Sequence, residues 1–170
     1  WEAPRGASHD VQHEAMRYNV DLLQPIQLGL AIAGADGVLR GAWTFHLQFN
    51  KDIDLHSEAS LAFLSRAGID FARQATEGID AAVLGRWLAH STLTRDPSTV
   101  MWVTFAGLYD TGYLLKMLTG RPLPPDPRDF EASLTSFCPF RCELRHWLPH
   151  GSLASLARRY GLTRTGIAHT

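Results

Sequence analysis

The sequence predicts an α/β fold built on a mixed sheet, and three observations predict it. Ile26, Leu28, Leu30 and Ile32 alternate along the chain, and after Ala35-Asp36-Gly37 the alternation resumes with Trp43, Phe45, Leu47 and Phe49. Val100 to Phe105 reads Val-Met-Trp-Val-Thr-Phe, a nearly continuous apolar and β-branched run. Around these stretches lie segments whose apolar residues recur at helical spacing.

Taken in order, the first nine residues read as an incoming loop. Asp10 is the expected N-cap of a helix from Val11 to Leu23, which Pro25 closes. Ile26–Ala33 and Trp43–Asn50 flank Asp-Gly, a strong turn pair, and are expected to form an antiparallel hairpin. Ser57 opens a helical stretch with Leu61, Phe63, Leu64 and Ala67 inward, broken at Gly68. A second helix is expected over Asp80–Leu93 with Val83, Leu84, Trp87 and Leu88 inward. Val100–Phe105 is expected to be a strand buried on both faces. A helix then runs from Asp110 to Leu118, and Gly120–Pro127 forms a surface loop, since it holds four of the nine prolines. Phe130–Phe137 reads as a helix and Phe140–Leu148 as a strand. Gly151–Tyr160 reads as a last helix with Leu153, Leu156 and Ala157 inward. The hairpin and the Val100 strand are expected in one sheet, with Asp110 beyond the end of that strand.

The chain has 170 residues, 45% hydrophobic and 19% charged. That suits one domain over 1–170 with a sizeable core, and it excludes collagen-like, mucin-like and wholly disordered classes. No apolar run reaches the ~20 residues of a membrane span, so no membrane partner is expected. Net charge is −1, from 16 basic and 17 acidic residues. This excludes a grip on nucleic acid by bulk charge; a polyanion would be held locally, by a few arginines or by metal ions. Two cysteines make no disulfide framework, and a reducing compartment, cytoplasm or nucleus, is expected. The first residue is Trp, with no secretory leader in view, so the chain is expected to be processed or a fragment.

Cys138, Cys142, His146 and His150 are zinc ligand types spaced by four. A single site would need all four within ~2.3 Å of one ion, whereas a helix would spread them over ~18 Å. Pro139 and Pro149 also interrupt the run, and the four are expected to be structural. His46 and His90 are expected to be structural too. Asp110 has more to offer, because it follows the C-terminal end of a buried strand and Gly107, where sites form in open α/β sheets. It also suits an ordinary helix cap. His169 sits in a glycine-containing loop and on its own reads as an exposed histidine.

Collinear segments carry more information than these single residues. They include Asn19-Val20-Asp21-Leu22-Leu23, Ile26-Gln27-Leu28-Gly29-Leu30, Trp43-Thr44-Phe45 and Gln48-Phe49-Asn50. Ala67-Gly68-Ile69-Asp70-Phe71, Glu77-Gly78-Ile79-Asp80 and Trp102-Val103-Thr104-Phe105 follow. Tyr109-Asp110, Gly112-Tyr113-Leu114-Leu115-Lys116, and Gly166 with His169 complete the series. Together they resemble the CAF/POP deadenylase subunit of the eukaryotic CCR–NOT complex, plant members above all.

The resemblance implies a ribonuclease-H-like mixed sheet flanked by helices, and the chemistry of a DEDD exonuclease. That chemistry is 3′-to-5′ removal of AMP from the poly(A) tail of mRNA by two Mg²⁺ or Mn²⁺ ions held by carboxylates, with a histidine as general base. Asp110 matches the third carboxylate and metal ligand, in the family's F-H-S-G-Y-D-F-G-Y-L segment, and His169 matches the base. The two are then expected to face one cleft, within ~10 Å. The family's first two carboxylates stand in D-T-E-F-P-G, which falls upstream of Trp1, and its last falls beyond Thr170. The chain is therefore expected to lack the family's first strand, which would run between the hairpin and the Val100 strand, and to be truncated at both ends. Ala106-Gly107-Leu108 stands where the family has His-Ser-Gly. Implied partners are the CCR–NOT scaffold subunit and a second deadenylase subunit, in cytoplasm and nucleus. The alternative is a catalytically inactive scaffold member of the same complex. A DEDD nuclease with another substrate fits less well, because the match is to this subfamily throughout.

Overall fold

The structure, a computed structural model, describes residues 3, 4 and 6–162. Ser8, not Asp10, starts the first helix, α1 (His9–Leu22): its hydroxyl accepts the Val11 amide at 3.4 Å and its carbonyl the Gln12 amide at 3.0 Å. Asp10 falls in the first turn, where a carboxylate favours the helix dipole without capping it. The described residues divide into two units. One holds the residues up to Leu22 and from Leu84 onward; the other holds Leu23–Val83.

In the Leu23–Val83 unit, β1 (Gln27–Ala33) pairs antiparallel with β2 (Leu39–His46), Leu30 opposite Trp43. The hairpin turn is the one Asp36-Gly37 predicts. Asp36 Oδ1 accepts the Val38 amide at 3.0 Å and Gly37 takes φ 75°, a conformation that suits glycine. The expected Trp43–Asn50 strand is shifted toward the turn and stops at His46. Leu47 instead bridges to Ile79 in parallel, and the Gln48 amide donates to the Ile79 carbonyl at 2.8 Å. Leu47 and Phe49 are nonetheless buried, Phe49 against the ring of Phe71 at 5.5 Å. In α2 (Glu58–Arg66), Leu61 is buried but Phe63, expected inward, is 51% exposed. A short helix that periodicity does not reveal, α3 (Phe71–Glu77), starts at Asp70, whose side chain accepts the Arg73 amide. Its buried Gln74 donates to the Ile26 carbonyl at 3.0 Å.

The division between units falls inside α4 (Ala81–Ala89), which Asp80 opens by accepting the Ala82 and Val83 amides. Leu84, Gly85 and Leu88 are its buried residues; Trp87, expected inward, is 66% exposed. The expected long helix ends at Ala89, and a single turn, α5 (Thr92–Arg95), follows.

In the other unit, β3 (Met101–Thr104) pairs in parallel with β4 (Phe140–Glu143), Trp102 opposite Arg141 and Thr104 opposite Glu143. The interior is formed by Met16 and Val20 of α1, Leu115 of α6 (Leu108–Thr119), Phe130 and Leu134 of α7 (Pro127–Phe137), Leu123 and Cys138. β3 is not buried on both faces as expected. Met101 and Val103 are 64% and 56% exposed, so the strand has one covered face. The expected single sheet is likewise two sheets of two strands, and among the described residues no strand pairs with both β3 and the hairpin.

β4 is shorter than expected because Glu143 accepts the Arg145 amide and turns the chain into a 3₁₀ segment, Leu144–His146. In α8 (Leu153–Arg159), started by Ser152 accepting the Ser155 amide, Leu156 is buried but Leu153 is 55% exposed. Among the described residues no helix is long and apolar enough to cross a membrane.

Candidate functional site

Asp110 reaches its position through the turn between β3 and α6. Phe105-Ala106-Gly107 makes that turn, and Ala106 adopts φ 56°, in the left-handed region. For a residue with a Cβ this costs about 1–2 kcal/mol, so something must hold it. The Glu143 carboxylate does. Oε1 accepts the Ala106 amide at 2.9 Å and the Arg145 amide at 2.8 Å. Oε2 accepts the Gly107 amide at 2.8 Å and the Thr104 hydroxyl at 3.0 Å. Burial pushes the Glu143 carboxyl up, but the amides of Gly107, Arg145 and Ala106 and the Thr104 hydroxyl outweigh it and hold the group below the ordinary carboxylate range.

A second strap acts on the same turn. The Arg145 guanidinium lies over the Phe105 ring at 5.0 Å and donates to the Gly151 carbonyl at 2.6 Å. Gly107 is close-packed as well, because a Cβ there would come within 2.7 Å of Thr104 Oγ1.

Asp110 itself is exposed in the first turn of α6. It does not cap the helix. The N-cap position is Gly107, no side chain of that residue is available, and the Gly107 amide belongs to Glu143. Next to it, the Tyr109 hydroxyl accepts from Asn19 Nδ2 at 3.1 Å, and Thr111 Oγ1 donates to the Gly107 carbonyl at 2.9 Å. The turn and its neighbours are thus bonded, and the Asp110 carboxylate faces outward at a helix start, where negative charge is favoured.

His169 lies outside the described residues, so the structure gives no distance from it to Asp110. Cys138 is buried in the interior, where burial pushes its thiol up to about 11, and Cys142 is half-buried on β4; both thiols are free. Among the described residues no three His, Cys, Asp or Glu side chains converge as metal ligands. Two divalent ions need several oxygen donors between them, and Asp110 stands with no companion set. The described residues therefore do not by themselves fit a two-ion centre.

Glu143, whose carboxylate holds this turn, is the residue of the candidate site that sequence reasoning misses. Its one local signal is a carboxylate at the C-terminal end of a short strand, the edge of a parallel pair at which Asp110 also stands.

Known proteins resemble the chain over most of its length. The chain is 33% identical over 175 residues to "Probable CCR4-associated factor 1 homolog 10" of Arabidopsis thaliana, covering 95% of this chain and 63% of the relative. The chain thus spans less than two thirds of that relative's length. Among solved structures, Pop2p of S. pombe in its Mg²⁺- and Mn²⁺-bound form superimposes with a TM-score of 0.85 at 30% identity, over 95% of this chain and 68% of that one. Yeast CAF1, crystallised with the MIF4G domain of NOT1, gives a TM-score of 0.78 at 32% identity, over 92% of this chain and 64% of that one. No family model matches the chain.

Proposed function

The chain belongs to the family of CCR4-associated factor 1 and Pop2 poly(A) ribonucleases, and from that premise we propose that the protein is an mRNA deadenylase of the CCR–NOT complex. It would remove AMP stepwise from the 3′ end of the poly(A) tail, in cytoplasm and nucleus. One observation carries the proposal: Asp110, in the family's Tyr-Asp segment, stands exposed beyond the C-terminal end of a parallel strand, after a turn whose Ala106 and Gly107 amides are held by Glu143. In this reading Asp110 is one carboxylate ligand of two Mg²⁺ or Mn²⁺ ions and His169 is the general base. The ions supply the local positive charge that a chain of net charge −1 lacks. The remaining ligands are not among the described residues. Yeast CAF1 in complex with NOT1 supports a scaffold subunit of that type as a partner, with a second deadenylase subunit beside it.

The test uses the chain extended through the flanking carboxylate segments, a 5′-labelled A-tract RNA and Mg²⁺ or Mn²⁺. A ladder of stepwise 3′ shortening that vanishes in Asp110→Ala is expected. Shortening that persists in Asp110→Ala overturns the assignment.

Ala106-Gly107-Leu108 favours a second reading, an inactive member that keeps the assembly role. In place of His-Ser-Gly, the turn before Asp110 offers only backbone and apolar side chains. Binding to the scaffold subunit with no shortening by the extended chain is the outcome that selects it.

A further inference from the structure

We infer that Glu143 is a positioning residue for Asp110, acting through the Ala106-Gly107 turn; the inference rests on the reading of Asp110 as a working carboxylate. Glu143 is distant in sequence, yet its two oxygens collect four donors: the Ala106, Gly107 and Arg145 amides and the Thr104 hydroxyl, all between 2.8 and 3.0 Å. An ionised carboxylate offers only acceptors, with about four lone-pair sites, so the four donors match its full capacity. Two of them are consecutive amides of the turn that starts α6, and one belongs to Ala106, the residue in the left-handed region. The carboxylate thereby fixes where α6 begins and the direction in which its first turn presents Asp110.

The rest of α6 is anchored elsewhere, through buried Gly112, Leu115, Met117 and Leu118. Losing the Glu143 bonds therefore loosens the first turn while the body of the helix stays packed. That is the pattern of a residue that sets geometry rather than one that holds the unit together. Charge-assisted bonds from amides to a carboxylate are strong enough for this, and a displacement of about 1 Å at a reacting centre is enough to cost about 10²-fold in rate.

The test uses the chain extended through both flanking segments, with Glu143→Gln and Glu143→Asp. The Gln side chain sets an NH₂ group against the turn amides. The Asp side chain keeps the charge but is shorter by one methylene. Expected for Glu143→Gln are amide hydrogen exchange at Ala106 and Gly107 faster on the order of 10–100-fold, with Leu115 unchanged. The Asp110 carboxyl carbon resonance also moves, and kcat on A-tract RNA falls about 10²-fold at unchanged KM. Glu143→Asp should recover part of each, and it decides the matter if the Gln variant does not fold. Unchanged exchange at both amides, or an unmoved Asp110 resonance, overturns the inference whatever the RNA gel shows. A wild-type chain that fails to shorten RNA while Glu143→Gln still moves the Asp110 resonance overturns the deadenylase reading and leaves the positioning role standing.

Discussion

Asp21 Oδ1 accepts the amide of Leu123 at 2.9 Å, which ties the end of α1 to the loop after α6. Lys116 Nζ closes the same junction by donating to the Val20 carbonyl at 2.6 Å and the Asp21 carbonyl at 3.2 Å. Leu123 is 3% exposed, so without Asp21 its amide would be stranded away from water. Asp21→Ala should therefore lower stability by about 1–3 kcal/mol in urea unfolding. Asp21→Asn keeps an acceptor oxygen and should lose clearly less. Equal losses in the two variants would show that the bond to Leu123 is not what Asp21 contributes.

At Gly85 the backbone of α4 packs directly against the backbone of α6 at Met117. A Cβ at Gly85 would run into the carbonyl group of Met117, which is backbone and cannot rotate away. Helix propensity alone makes Gly→Ala favourable by about 1 kcal/mol, but overpacking of a close helix contact costs about 1–3 kcal/mol. Thermal melting of Gly85→Ala is expected to show a net loss. A raised melting temperature would mean that the two helices separate without cost.

The Glu143 carboxyl is held below its ordinary pKa of 4.5 in the folded chain. A depressed carboxylate contributes stability that is fully present above the unfolded-state value and is lost as pH falls through the folded one. The difference in urea midpoint between wild type and Glu143→Gln should thus be largest near pH 7. It should shrink as pH drops below about 4.5 and disappear once the folded-state carboxyl is protonated. A difference that stays constant from pH 7 to acid would contradict the ionised clamp.

The thiols should separate in reactivity. Cys138 is 1% exposed and its thiol is pushed up to about 11, so at pH 8 only about one part in a thousand is thiolate. Cys142 is half-buried on β4. Alkylation of the folded chain followed by peptide mass analysis is expected to find label at Cys142 well before Cys138. Simultaneous labelling would report opening of the α1–α6–α7 interior.

The 170 residues as they stand are expected not to shorten poly(A). In the proposed reading Asp110 is their one metal carboxylate, and a lone general base, the role proposed for His169, would be worth about 10²–10⁴-fold. Enzymatic rate enhancements correspond to about 8–23 kcal/mol of barrier lowering, far beyond that. Incubation with labelled A-tract RNA and Mg²⁺ or Mn²⁺ should leave the band intact. A ladder that disappears in Asp110→Ala would reveal ligands in this chain that neither its motifs nor its described geometry identify.

Local patterns account for what the sequence revealed of this fold. The hairpin was legible because Asp36-Gly37 and the alternation around it are neighbours in the chain. The end of β2 was not, because what diverts Leu47 is Ile79, a distant partner with no local mark. In α4 the helical period was right, but the close approach of Met117 selects a face that carries Gly85, which leaves Trp87 outside. β3 read as doubly buried from composition alone, whereas burial depends on what covers each face. At the candidate site, the place of Asp110 after β3 was legible from strand–turn–helix order, while Glu143 was hidden because three of its four bonds run back to Thr104, Ala106 and Gly107, which only the parallel pairing of β3 and β4 brings near.

Asn19, Asp21, Tyr109, Gly112 and Lys116 stand in the segments by which the family is recognised, and all five sit at the junction of α1 with α6. Gly112 is there because a Cβ would come within 2.5 Å of the buried Met16 Sδ. None of their bonds depends on a substrate. Selection for a folded subunit would preserve these letters in a lineage that had stopped cutting RNA, just as in one that had not. Kinship measured over these segments therefore reports inheritance of the scaffold, and the state of the chemistry must be judged from other places, among the described residues the short stretch at 104–110 and Glu143.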